Sequence, residues 1–581
     1  QAVPDRGEVT VRRLTLSGEQ TEDGMISFVP EDASSPLSSL CRKTFTFTVD
    51  AGWQHAWAVQ DGASLPVRLY TEAGVRYAAV TCIPGRGRVV LCREAADSDL
   101  ALSPECTMTD VSEGRVTPTE GKTVTVSSAE ELNLLADYVN IGHSMAGVTV
   151  LLTCDIDLSD TPLCRTIGWK LEGEKSSTLR FYYPFSGTFD GAGHSITGLF
   201  YDADVCGTGL FGYTDGAAIK DLSVSGQLSG IKWVGGIVGS MNGGTLQNCR
   251  FTGSVSSAGF GQRNSGSYTG GLVGQLIGGT VSGCTANAAV HTTAGDGDNS
   301  GNYTGGLVGT YGGNATVTRC VFSGTVTAVA TEGGKGARHV GGLVGGGDKA
   351  TLRDSVFSGT VSGEQYVGGL VGTLSSNSDH AVYNCAASGS VTGVTYVGGI
   401  SGIMSPSSRA KCKNCLADVN VTATGEEAVA GRLFGAINAG NNNPSPSSLF
   451  YPAGDSPLPL FVPQGTKNPS AKAYAYTPAH LDGTATEALT GGKTSLVDAL
   501  NVWVEANAAG GYGTWSMTAG ESLPVPVRLT YDAPVAHTPA AAVNDAGQAF
   551  DAAIGSLSAD SSVFENYAAF DTAFRLLSGL N

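Results

Sequence analysis

One short phrase returns through the middle of the chain. It runs Gly209 to Gly212, Val234 to Gly239, Tyr268 to Gly274, Tyr303 to Gly309, Val340 to Gly345, Tyr366 to Gly372 and Tyr396 to Gly402, with a degenerate copy from Gly431 to Gly435. Its closing glycines, at 212, 239, 274, 309, 345, 372, 402 and 435, are never closer than 27 residues. A unit of that length cannot bury its apolar face alone and must stack on its neighbours, so the chain is constrained to a solenoid or repeat array.

Between the phrases a second pattern recurs, as in Cys320-Val-Phe-Ser-Gly-Thr-Val326 and Ser355-Val-Phe-Ser-Gly-Thr-Val361. These are β-branched and aromatic runs broken by glycine, and the array holds no helical apolar period. Three short strands and two or three glycine corners per repeat are therefore expected, stacked as the coils of a parallel β-helix at about 4.8 Å per coil. Leu222, Cys249, Cys284, Cys320, Ser355, Cys385 and Cys415 each follow a closing glycine by ten to thirteen residues, which predicts one inward column. In-register side chains on parallel strands point the same way, so these cysteines read as buried small hydrophobes rather than disulfides.

The glycine phrases resemble the GLUG motif. That resemblance implies the β-helical part of a secreted or surface-anchored bacterial protein, of the kind found in adhesins and in the non-catalytic regions of IgA-cleaving metallopeptidases. Asp155 to Leu158, Thr166 to Trp169 and Phe185 to Gly191 with His194 are similar to the opening coils of such solenoids, so the likeness spans roughly residues 126 to 435. The expected fold class is mainly β: a right-handed parallel β-helix with an N-terminal β-sandwich, a helical N-cap and a mixed α/β C-terminal cap. Metallopeptidase chemistry is not implied, because no His-Glu-x-x-His occurs among the eight histidines.

Net charge is −18 with 82 glycines and 15% charged residues, which argues against nucleic acid and anionic membrane surfaces as partners. The sequence has neither a charged-then-apolar leader nor an 18-residue apolar span. We expect a secreted or cell-surface protein, without direct membrane insertion, whose export signal has been removed and whose start at Gln1 results from processing. Among 13 cysteines the single Cys412-Lys-Asn-Cys415 pair is a weak metal or redox signal.

The expected domains are a β-sandwich over 1–118 (Ig-like or fimbrillin-like), the repeat array over 119–435, C-terminal coils and cap over 436–530, and short helices over 531–581. In the first, strands are expected at Val9 to Val11, Phe45 to Val49, Val67 to Leu69, Tyr77 to Ile83 and Val89 to Leu91, the last two forming a hairpin through Pro84 to Gly87. Cys41, Cys82, Cys92 and Cys106 suggest one or two disulfides there. Ser127 or Ser128 with Glu130 or Glu131 forms a capping box that opens a helix over 128–140, with Leu132, Leu135, Ala136 and Val139 on one face, and this helix is expected to cap the open solenoid end. The region from Asn441 to Pro463 reads as loop. The helix from Ser495 to Asn507 with Trp515 and Leu523 to Val527 is similar to the closing segments of GLUG proteins and is expected to cover the far end.

From strand end to the next aromatic the connection is four residues in some repeats and twelve in three consecutive ones: Ser256 to Ser267, His291 to Asn302 and Thr327 to Arg338. Insertions at equal phase mark a binding face. Beside them run Trp233, Tyr268, Tyr303, His339, Tyr366 and Tyr396, an aromatic column that could stack sugar rings or buttress a corner. Asp296, Asp298 and Glu332, with Arg263, Lys335, Arg338 and His339, form the one cluster in which a glycosidase or lyase centre could sit. Asp296, Asp298 and Asn299 are a weak candidate for structural calcium, although their spacing is not that of an EF-hand, and no other cofactor is expected. Asp155, Asp157 and Asp160 read as turn residues. The leading expectation is non-enzymatic, adhesin-like binding of an extracellular host or microbial glycan or protein through this edge. A polysaccharide-active enzyme and a structural spacer are the alternatives.

Overall fold

The computed structural model describes residues 104–526 except 172–180, 203–204, 259–266, 295–301, 331–336, 375–378, 406–409, 440–443, 466–468 and 519–520, together with residues 19–21, 25–28, 43–50, 53, 55–60, 63–65, 67–82 and 89–94. The chain is mainly β, with long sheets of parallel strands compatible with a β-helix or solenoid. The strand expected at Val9 to Val11 and the helices expected after Ala541 lie outside the described residues.

Six successive repeats, from Cys206 to Gly393, lay down four strands each, not three. In the repeat that opens at Tyr268 they are Tyr268–Gly270, Val273–Ile277, Thr280–Ser282 and Thr285–Ala294. Each pairs in parallel, in register, with its counterpart in the next repeat: Tyr268 with Tyr303, Val273 with Val308, Val281 with Val317 and Ala286 with Phe322. The extra strand arises because the glycine phrase itself is two strands with a kink between them, where the residues read simply as a corner. Between the third and fourth strands of these repeats the chain turns on one left-handed residue, Asp221, Asn248, Gly283, Arg319, Asp354 or Asn384, and Asn414 repeats the kink within the continuous strand Ala410–Ala423; all seven have φ between 50 and 62°. Asp, Asn and Gly dominate because they tolerate that conformation best. The turn aims the next residue inward, and Leu222, Cys249, Cys284, Cys320, Ser355, Cys385 and Cys415 are all buried. The cysteines of this column are free thiols, as the phase predicts.

Helix Ala129–Asn140 starts at Ser128, whose hydroxyl accepts from the Glu131 N–H at 3.2 Å. The Glu131 carboxylate accepts from the backbone of Ser127 at 2.8 Å and from the hydroxyl of Thr109 at 2.7 Å. Its apolar face, Leu132, Leu135, Ala136 and Val139, is buried in the same core as Val124, Val150 and Ile167.

The N-terminal module is built of two antiparallel sheets. Lys43–Val49, Val75–Cys82 and Val67–Glu72 form one, and Glu19–Thr21, Met25–Phe28, Val89–Glu94, His55–Gln60 and Ala63–Leu65 the other, in those orders. Phe28, Phe45, Phe47, Val80 and Leu91 share its core. The expected hairpin between Tyr77 to Ile83 and Val89 to Leu91 does not form. Those strands go to different sheets, and Val75–Cys82 instead hairpins with Val67–Glu72 through Ala73 and Gly74, both at positive φ.

Two boundaries move. Glu105–Thr107 pairs in parallel with Thr123–Val126, so Cys106, Met108, Val111 and Val116 belong to the core of the repeats, ahead of the boundary expected at 118. The disulfides expected among Cys41, Cys82, Cys92 and Cys106 are not made by Cys82 or Cys106, which are free thiols buried in separate cores, while Cys41 lies outside the described residues. At the other end the stretch read as loop carries strands. Val462–Gly465 pairs with Phe434–Ala439, and Ser447–Pro452 with Ala473–Tyr476, so parallel stacking continues past the last glycine phrase.

The C-terminal helix Leu496–Ala506 and Trp515 lie along the flank of the array. They bury Leu496, Leu500 and Trp515 with Val356, Ala386, Leu416 and Phe450, one residue from each of four successive repeats. The expectation that this segment covers the far end fails because the first position of the long strand, which faces outward, is apolar in these repeats. In earlier repeats the paired positions are Ser223, Arg250 and Thr285.

Candidate functional site

The aromatic residue that opens each glycine phrase sits on the first strand of its repeat, so parallel register stacks the rings. Tyr268 and Tyr303 are 5.7 Å apart between centroids, Tyr303 and His339 4.5 Å, His339 and Tyr366 5.1 Å, and Tyr366 and Tyr396 5.1 Å. His339 is parallel to both neighbours within 17°. The row is half-buried. Trp233 continues the phase but is buried, with the Lys232 ammonium 4.4 Å from its ring centre. Trp233, His339, Tyr366 and Tyr396 have φ between 55 and 58°, a left-handed kink that turns the chain into the phrase strand.

Tyr303, His339 and Tyr366 each have a ring neighbour on both sides, so the row presents edges and phenolic oxygens rather than open faces. Stacking a sugar needs a face; hydrogen bonding to one needs only the hydroxyls. Polar atoms of the row are tied down: His339 Nδ1 is 2.6 Å from the Thr373 hydroxyl, and the Tyr396 hydroxyl accepts from Gln464 at 3.4 Å. Burial, and secondarily the charge of Arg338, drops the His339 imidazole to about 4, so it is neutral at neutral pH.

Behind the row runs a ladder of buried hydroxyls that the sequence reading did not single out. Thr292 Oγ1 donates to Thr269 Oγ1 at 2.9 Å and accepts from Thr304 at 2.9 Å, and Ser257 and Thr269 lie 2.7 Å apart. The signal was present: Thr or Ser recurs next to the phrase aromatic and near the end of the long strand, positions that the register brings face to face.

The three long connections leave from this corner. Their first residues, Ser256–Ala258, His291–Ala294 and Thr327–Ala330, continue the long strand and pair in register, so the irregular part is shorter than twelve residues. Their far ends return at Ser267, Asn302 and Ala337, with the Ser267 N–H donating to Asn302 Oδ1 at 3.0 Å. Arg338 lies half-buried on the strand with His339. Arg263, Asp296, Asp298, Asn299, Glu332 and Lys335 lie outside the described residues, so the acidic cluster and the calcium candidate have no geometry to report.

Elsewhere, Asp157 accepts from the Ser159 N–H at 2.9 Å within a turn, and Asp155 accepts from the Ser195 N–H at 2.7 Å, a coil-edge contact between segments 40 residues apart. Cys412 and Cys415 are both buried with their sulfurs 3.9 Å apart. No described helix is long and apolar enough to cross a membrane. Compared with family models, curated proteins and solved structures, the chain matches none.

Proposed function

We propose that this chain is a GLUG-type parallel β-helix, exported to the surface or surroundings of a bacterium, that binds an extracellular glycan or protein without chemistry of its own. In this reading helix Ala129–Asn140 covers the first open edge of the solenoid. The binding wall is the corner formed by Tyr268, Tyr303, His339, Tyr366 and Tyr396 and the three long connections beside them. The observation that carries the reading is the register: three adjacent repeats open their longest connections one above another, next to a continuous aromatic row. A rigid stack is a good support for such loops because each is anchored at both ends by strands.

The test is an array of glycans and host-matrix proteins probed with the intact protein, followed by a variant whose three connections are shortened to the four residues found before Tyr366 and Tyr396. Loop-closure entropy changes by only about 0.6 kcal/mol per doubling of length, so melting should hold while binding falls. Unchanged affinity would move the site elsewhere. A second reading, a structural spacer, is favoured by one observation, the occupation of ring faces within the row. It requires the intact protein to retain nothing on the array and the shortened variant to lose stability instead.

A further inference from the structure

Between the N-terminal module and the end of helix Ala129–Asn140 lies a cavity of about 210 Å³. Val67 and Leu69 wall it on one side, Val111 and Val116 on another, and Tyr138 with His143 close it from the helix end. The charged side chains on its lining are Arg68 and Arg76, with no carboxylate beside them, in a chain of net charge −18. Arg76 is held in place by hydrogen bonds from Nε to the Trp53 carbonyl and from Nη1 to the Thr71 hydroxyl, both 3.3 Å. Arg68 lies 5.2 Å over the Tyr70 ring and has no acidic partner among the described residues.

His143 adds an independent observation. Its ring stacks on Tyr138 at 4.0 Å and 13°, and its Nε2 is buried without a hydrogen-bond partner. Such an atom is costly to leave unmatched. Burial, and after it the Arg68 charge, holds this imidazole neutral down to about pH 4. Two guanidinium groups are donors, and the unpartnered Nε2 joins them as a donor in the tautomer that carries its proton there, so together they match an acceptor that carries negative charge. The apolar wall asks for a body attached to it. The volume corresponds to roughly seven waters at about 30 Å³ each, the size of one sugar ring.

We propose that this cavity binds a small oxyanion-bearing molecule, its anionic group held by Arg68, Arg76 and Nε2 of His143 and its body resting on Val67, Leu69, Val111 and Val116. The site is separate from the aromatic edge and does not depend on the function assigned to that edge.

Calorimetry on the full chain tests it with three probes: glucuronate, a carboxylate on a sugar body; inorganic phosphate, an oxyanion without a body; and glucose, a body without charge. One or both anions should bind and glucose should not, and the ratio of glucuronate to phosphate affinity reports whether the charge arrives on a body or free. Arg68→Gln removes one charge-assisted contact and should weaken binding about ten- to a hundredfold. Arg68 is exposed and Arg68→Lys keeps its charge, so the pair separates loss of recognition from loss of fold: the Lys variant should retain part of the affinity with an unchanged melting curve. His143→Phe, which preserves the stack on Tyr138, should also weaken binding. The proposal is overturned if neither anion binds at tens of millimolar, if glucose binds as well as glucuronate, or if affinity survives the double substitution Arg68→Gln, Arg76→Gln.

Discussion

Gly306 is a position in the glycine phrase where a single methyl group should be costly for steric reasons alone. Its backbone is not left-handed, so conformational strain is not the reason. A Cβ built there would fall 2.1 Å from the carbonyl oxygen of Gly342 in the next repeat and 2.6 Å from Cγ of Phe322. A comfortable carbon–oxygen contact is about 3.3 Å or more, so the two layers would have to separate by roughly 1 Å at this point. The displaced backbone carries the bonds from Gly306 N to Gly341 O at 3.3 Å and from Leu307 N to Leu343 O at 2.9 Å. Overpacking costs about 1–3 kcal/mol and each weakened hydrogen bond about 1 kcal/mol, which places Gly306→Ala at roughly 3–5 kcal/mol of destabilisation. For a body of roughly 420 residues, with an unfolding entropy of about 2.1 cal/mol/K per residue, that is a fall in Tm of about 3–6 °C. Gly312 supplies the control, since a Cβ there meets nothing closer than 3.4 Å and its backbone is not left-handed either. Gly312→Ala should stay within about 1 kcal/mol of the parent and gain slightly from the stiffer unfolded chain. Melting followed by circular dichroism at 218 nm or thereabouts compares the two. If they melt together, close interlayer approach is not what demands glycine in the phrase.

Thr292→Val removes the hydroxyl that joins Thr269 and Thr304 in the buried ladder and should cost about 1–3 kcal/mol, read as a lower urea midpoint, with Thr292→Ser recovering most of it. His339 and His143 are held neutral in the fold down to about 4, whereas an unfolded histidine protonates near 6.5; stability is therefore full above about pH 6.5 and is lost as pH falls toward 4, by up to ~3 kcal/mol for each. His339→Tyr, which puts the neighbouring repeats' residue into the row, should flatten the pH dependence of the urea midpoint over that window, and an unaltered slope would contradict the assignment. Asn384 donates to Asp354 Oδ1 and Gly513 O and accepts from Trp515 Nε1 and Asn414, so Asn384→Gly, which keeps the left-handed corner, should loosen the C-terminal segment and speed its release by trypsin while the array resists.

The glycine phrase made the stacking legible because a period carries its own register: once two copies align, every column between them aligns. The buried cysteine column and the apolar face of Ala129–Asn140 followed from phase and periodicity in the same way. What periodicity does not carry is the number of corners. A two-residue kink such as Gly271 and Leu272 reads as continuous with its flanking strands, so the residues alone count three strands where the fold has four. The N-terminal module has no repeat, so pairing had to be inferred from neighbours in sequence, and Val89–Glu94 crosses to the opposite sheet instead of folding back. At the candidate site the row of rings was legible, but not that the rings would lie on one another, because ring spacing depends on the separation of layers rather than on residue type.

A repeat protein keeps its backbone nearly constant from layer to layer, so information about what each layer touches has to reside in columns that change. The outward first position of the long strand shows this. Reading through paired residues it runs Ser223, Arg250, Thr285, Val321, Val356, Ala386, Leu416 and Phe450, polar first and apolar last. The backbone is equivalent at each, yet only the later members bury under Leu496, Leu500 and Trp515. The corner residue before them changes in step: Asp354, Asn384 and Asn414 bond to the carbonyls and N–H groups of the docked segment, while the Asn248 side chain donates to Asp221 within the array. A column that turns apolar marks a flank that the chain itself covers, whereas the column from Tyr268 to Tyr396 keeps a ring at every layer and packs ring against ring.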